Sequence, residues 1–190
     1  MFGTPSQTVG PYLRIGLEWL DGGDLIKDAS TTEIPGKRVT IRGKVIDGNG
    51  ILVPDAVLEF WQADANGVFP TLDKDGKPAR AFRGFARVCT DAHGGFALKT
   101  IVPGAVAGPN GQTQAPHIAV QVAMRGLLKP LHTRVYFPDA PANASDPLLN
   151  AVPPTRRATL VAQAEAADTL TWNVVVQGVG DHAETAFFDF

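Results

Sequence analysis

Four histidines, one cysteine and one arginine set between apolar residues are the side chains of this 190-residue chain whose types and spacing could do chemistry. His93, His117, His132 and His182 share neither His-x-His nor His-x-x-x-His spacing, so a metal site within the chain would need distant residues to converge. His93 and His182 sit in turn-forming stretches and read as solvated. The single cysteine, Cys89, excludes an intrachain disulfide and any Cys-rich zinc or iron-sulfur centre. Within Ala86-Arg87-Val88-Cys89-Thr90 it reads as a small buried hydrophobe rather than a nucleophile. There is no Gly-x-Ser-x-Gly elbow, and Gly104, Gly108 and Gly111 are followed by no Lys-Ser/Thr pair that would make a phosphate cradle. Asn143-Ala144-Ser145 has the form of a glycosylation sequon and carries no weight without a secretory leader. Arg134 alternates with Thr133 and Val135 and belongs to no surface charge run. A guanidinium on a rigid strand suits a planar carboxylate, and the alternative is a structural salt bridge with a nearby acid, which composition alone favours.

The elements that must position these groups are short. The 20 glycines and 15 prolines chop the chain, nearly excluding long helices and predicting many strands joined by turns. Segment 38–47 alternates Val39, Ile41, Gly43 and Val45 against Thr40, Arg42 and Lys44, the period of a half-buried strand. Residues 57–62, 84–90, 95–102, 132–137 and 172–177 read as further strands, with Asp91-Ala92-His93-Gly94-Gly95 joining an antiparallel pair. The clearest strand is 117–124, with Ile118, Val120, Val122 and Met124 on one face. Helix is expected at Asp146-Pro147-Leu148-Leu149-Asn150, with Asp as N-cap and Pro at the first helical position, and in part of 155–167. About eight strands with irregular turns argue for an all-β fold, a sandwich of antiparallel strands with long loops at 66–83 and 102–116 and one short helix. The apolar terminus 186–190 should dock on a sheet or a partner.

Composition bounds the partners. The chain is 44% apolar and 19% charged, which fits one globular domain and excludes a solvated, disordered chain. A net charge of −2 leaves no basic excess for nucleic acid, and no apolar run is long enough to span a membrane. The N-terminal stretch lacks the basic start and apolar run of a signal peptide, so the cytoplasm is the expected compartment.

Five stretches, in order along the chain, resemble one family. Thr4-Pro5-Ser6-Gln7-Thr8-Val9-Gly10-Pro11-Tyr12, Glu59-Phe60-Trp61-Gln62-Ala63-Asp64-Ala65-Asn66-Gly67, Thr113-Gln114-Ala115-Pro116-His117-Ile118, Leu131-His132-Thr133-Arg134-Val135-Tyr136-Phe137 and Phe187-Phe188-Asp189-Phe190 look like those of the intradiol ring-cleaving dioxygenases. The likeness is to the iron-free α chain type. It implies a β-sandwich and an αβ protomer of two homologous chains in larger hetero-oligomers. It implies iron(III) in the partner β chain, held there by two tyrosines and two histidines. A small aromatic diol is opened by O2 between its two hydroxyl-bearing carbons, and both oxygen atoms enter the product.

Against that pattern the present chain departs. The His-x-His pair of the family's catalytic chains reads His117-Ile118-Ala119, the tyrosine expected after Pro103-Gly104 is Val106, and residues 65–90 hold no tyrosine. The only tyrosines, Tyr12 and Tyr136, lie in motifs common to both chain types. The resemblance therefore implies no catalytic residue and no metal in this chain. It places Thr8, Gly10, Pro11 and Arg134 at the mouth of the β-chain pocket, with Arg134 favouring a carboxylated substrate and 1–35 an N-terminal arm packing on the partner. With a net charge of −2, any such preference must be local. The alternative is a metal-free, stand-alone β-sandwich binding or interaction module derived from the family.

Overall fold

The computed structural model describes residues 3–10, 12–17, 22–27, 29–30, 32–71, 74–75, 81–178 and 180–189. Its strands, in chain order, are β1 (Arg38–Ile46), β2 (Val57–Trp61), β3 (Phe85–Cys89), β4 (Gly95–Ile101), β5 (Val106–Ala107), β6 (Thr113–Gln114), β7 (His117–Ala123), β8 (Leu131–Tyr136), β9 (Gln163–Ala166), β10 (Thr169–Thr171) and β11 (Val174–Val175). Among the described residues three short α-helices accompany them, α1 (Tyr12–Leu17), α2 (Pro147–Ala151) and α3 (Pro154–Arg157).

Period-2 patterning builds two facing layers. In the first, β1 pairs antiparallel with β4 on one side, and on the other runs parallel first to β10 and then to β11. In the second, the order is β3-β2-β7-β8, antiparallel throughout. Val39, Ile41, Val45, Leu98 and Val174 of the first layer and Leu58, Phe60, Ile118, Val120, Val122 and Val135 of the second bury into one core. Phe96 bridges it, with its ring 5.9 Å from Phe60 and 6.3 Å from Trp172. Gly43 stands at the crowded point: a Cβ there would lie 1.7 Å from the Trp172 carbonyl oxygen, so only glycine lets Trp172 pass β1. Buried Gln62 ties the layers at one end, accepting from the Thr100 hydroxyl at 2.7 Å and donating to the Ile101 carbonyl at 3.1 Å.

The sandwich expected from the sequence is present, with three differences. Two of its pairings are parallel, because alternation tells which face a residue takes and not which way its neighbour runs. The run expected at 172–177 is only Val174–Val175: the Trp172 N–H still donates to the Arg42 carbonyl at 2.8 Å, but next to it the Asn173 side chain, not its backbone, accepts from the Lys44 N–H at 3.0 Å. Among the described residues α-helix is not one segment but three. Asp146 does cap α2, accepting from the Leu149 N–H, while within 155–167 a helical turn gives way to strand β9. The C-terminal stretch docks on the sheet edge, with the Phe188 N–H donating to the His132 carbonyl at 2.8 Å. Cys89 is half-buried rather than buried, at the end of β3 beside the backbone of Arg14. Among the described residues no helix is long and apolar enough to cross a membrane.

Candidate functional site

Register places the chemistry on the outer face of the second layer. Antiparallel pairing lines up Phe85, Trp61, Ala119 and Arg134 in one row across the sheet, and Arg87, Glu59, Gln121 and His132 in the next. His117 pairs with Tyr136 in the row beyond Arg134. These rows shape a cavity of about 360 Å³ lined by Trp61, Phe85, Ala119, His132 and Arg134 among others. Trp61 stays half-exposed and meets Phe85 edge to face at 5.4 Å, giving the cavity an aromatic wall.

Arg134 has no salt bridge: among the described residues no carboxylate lies within ion-pair distance of it. Its Nη1 donates instead to Gln114 Oε1 at 2.5 Å. The Gln114 amide is itself oriented, because its Nε2 donates to the Ala107 carbonyl at 3.3 Å across the β5–β6 hairpin. The guanidinium is thus aimed by a neutral partner and is tied to no described carboxylate as an ion pair, which suits an incoming carboxylate better than a structural pair would. The contact of Gln114 with Arg134 was not legible beforehand; the only signal was that Gln114 lies in one of the motifs.

His117, on the same face as Arg134, is buried. Its Nδ1 donates to the Ala115 carbonyl at 2.7 Å, and its ring stacks 5.7 Å from Tyr136. Burial, and then the Arg134 guanidinium, push its pKa down to about 4. An unfolded chain would take that proton near pH 6.5, so stability is expected to fall as pH drops from about 6.5 to about 4, by at most about 1.4 kcal/mol per unit. Below that window the folded chain is protonated too and the slope vanishes. Unfolding free energies of the chain and of His117→Gln, followed across this range, check it; parallel curves would refute the assignment.

Tyr136 donates its phenol hydrogen to Asp146 Oδ1 at 3.0 Å, and burial raises its pKa. The same carboxylate accepts from the Ala115 and Leu149 N–H groups at 2.8 and 2.7 Å. These donors do not fit an iron(III) centre: one imidazole bound to a carbonyl, a phenol committed to an acid and held protonated, and a cation beside them. Val106, in the place where the resemblance expects a tyrosine, is a buried apolar side chain of the β5–β6 hairpin. No group of three or more His, Cys, Asp or Glu that could hold a metal occurs among the described residues.

The site residues inferred from the resemblance do not converge within this chain. The Thr8 hydroxyl accepts from the Gly126 N–H at 2.7 Å and donates to the Met124 carbonyl at 3.4 Å. That is five positions beyond the Ala119 partner of Arg134, roughly 16 Å along the strand direction at 3.3 Å per residue. Gly10 is exposed at the start of α1, where its carbonyl accepts from the Leu13 N–H at 3.1 Å. Pro11 lies outside the described residues.

Comparison with known proteins bears directly on this arrangement. The family model described as "Dioxygenase" matches residues 20–178. The alpha chain of protocatechuate 3,4-dioxygenase from Burkholderia cepacia is 46% identical over 198 residues, covering 98% of this chain and 96% of that one. The beta chain from the same organism is 32% identical over 145 residues, covering 74% of this chain and 62% of its own length. Among solved structures, the dioxygenase domain of a dioxygenase carbohydrate-binding protein fusion from Streptomyces sp. SirexAA-E superimposes with a TM-score of 0.61 at 29% identity, over 94% of this chain and all of that domain.

Proposed function

Because the chain belongs to the intradiol ring-cleaving dioxygenases, we propose that it is the iron-free alpha subunit of a protocatechuate 3,4-dioxygenase, completing the active site of a homologous beta chain. The observation that carries this reading is 46% identity to an alpha chain across 98% of the sequence. The same extent of likeness disfavours a stand-alone binding module. The reaction is intradiol cleavage of protocatechuate by O2 to 3-carboxy-cis,cis-muconate, a step of aromatic catabolism by the β-ketoadipate route. The iron(III) belongs to the beta chain and supplies the ring activation; this chain, in the cytoplasm, supplies shape and charge. Cleavage in the partner's pocket asks of it no proton transfer and no ligand.

Two parts of the chain would meet the partner. Residues 1–35 form the arm, supported by α1, none of whose residues is buried: Tyr12 is 81% and Ile15 58% exposed, which is costly for apolar groups unless another surface covers them. Part of the segment also packs at home, since the Leu25 N–H donates to the Lys99 carbonyl, the Lys99 N–H donates to the Gly23 carbonyl, and Ile34 is buried. Thr8, Gly10 and Pro11 would wall the partner's pocket and Arg134 would bind the substrate carboxylate. The αβ protomers would assemble further.

The test is co-expression with and without a homologous beta chain, followed by metal analysis and visible spectroscopy. Expected are a colourless chain with no bound iron when alone, and a coloured, active complex with iron and beta chain in equal amounts. Tyrosinate-to-iron charge transfer in the isolated chain, with stoichiometric iron, would overturn the reading.

A further inference from the structure

We propose that the open end of the sandwich is a binding site for small apolar monocarboxylates, separate from the Arg134 face. A cavity of about 390 Å³ enters there between the two layers. Its floor is core: Val39 of β1, Leu170 of β10 and Phe137 just past β8. The rim explains why it stays open. Ala105, Ala140, Ala142 and Ala167 stand where longer side chains would plug the gap, and prolines stiffen the flanking 138–141 segment. The size falls within the range of small-ligand sites, and apolar walls with few polar groups are their usual composition.

The charged groups at this cavity decide the ligand class. Lys37 and Asp139 are both exposed there. Among the described residues no carboxylate lies within ion-pair distance of Lys37, whose ammonium can swing over the mouth on its flexible stem. An apolar body filling the space between Val39, Leu170 and Phe137 would bring a single carboxylate to Lys37. A second carboxylate would meet the like charge of Asp139, which disfavours dianions. Benzoate and hexanoate have the required form, phthalate carries one charge too many, and benzyl alcohol lacks the charge.

Calorimetric titration of the αβ complex with these four probes tests the proposal. Expected is saturable binding of benzoate or hexanoate, one site per alpha chain, with phthalate and benzyl alcohol weaker by about five-fold or more. Lys37→Met should weaken it by a similar factor. Ala167→Trp, which adds an indole to the lining, should abolish it, and Ala105→Leu, at another lining position, serves if the first variant proves unstable. In Arg134→Ala, where the carboxylate contact of the reaction pocket is lost, this site should persist with the same affinity, and loss of all binding in that variant would assign it to the reaction pocket. Absence of saturable binding, or binding that survives either lining variant or is indifferent to Lys37→Met, overturns the proposal whether or not the complex is an active dioxygenase.

Discussion

Replacing Asp146 with alanine is expected to lower the unfolding free energy by about 3–5 kcal/mol, a large share of what a domain of this size possesses. Its carboxylate is completely buried and accepts three hydrogen bonds, from the Ala115 N–H, the Leu149 N–H and the Tyr136 phenol. One side chain thus caps α2, fixes the turn that leads into β7 and anchors the end of β8. Alanine leaves two backbone donors and a phenol without partners in a site water does not reach, and each orphaned buried donor costs about 1–3 kcal/mol, with incomplete additivity. The cap itself contributes about 1 kcal/mol of that. Tyr136→Phe removes only one donor and keeps the ring, so about 1–2 kcal/mol is expected from it. Urea unfolding of the three proteins decides the matter. A loss below about 1 kcal/mol for Asp146→Ala would show that the network is dispensable.

Arg134→Ala, in the complex with the beta chain, is expected to raise KM for protocatechuate by about 10- to 100-fold while kcat changes little. A hydrogen-bonded guanidinium–carboxylate contact is worth about 1.5–3 kcal/mol, and it is made to a part of the substrate that does not react. Catechol, which lacks the carboxylate, should be handled equally by both enzymes, and that comparison separates substrate recognition from general damage to the fold. Gln114→Leu should give a smaller effect of the same sign, since it releases the guanidinium from the acceptor that aims it without removing the charge. Equal losses toward the two substrates would remove Arg134 from the pocket.

The strands were legible because burial on one face imposes period 2, and the long, regular stretches 38–46 and 117–123 lie where alternation puts them. The Asp146-Pro147 start of α2 was legible because capping is local chemistry. α1 was not: six residues with none buried leave no apolar stripe to read. The expected strand at 172–177 failed because a side chain, Asn173, took over a backbone acceptor's place. For Arg134, composition favoured a salt bridge; the structure supplies Gln114 instead, twenty positions away and brought alongside by the β6–β7 turn.

Residue types alone decided that this chain holds one imidazole and no loop tyrosine at the positions where the resemblance expects a metal's ligands, for a missing donor is missing in any fold. What those remaining groups do was decided only by tertiary contacts. His117 is turned to a carbonyl, Tyr136 is bound to Asp146, and Arg134 is held by Gln114 with no ion-pair partner among the described residues. Each of those outcomes depends on which strand lies next to which and on how much water reaches the pair. Those are properties of register and burial, and they have no local signature in the chain.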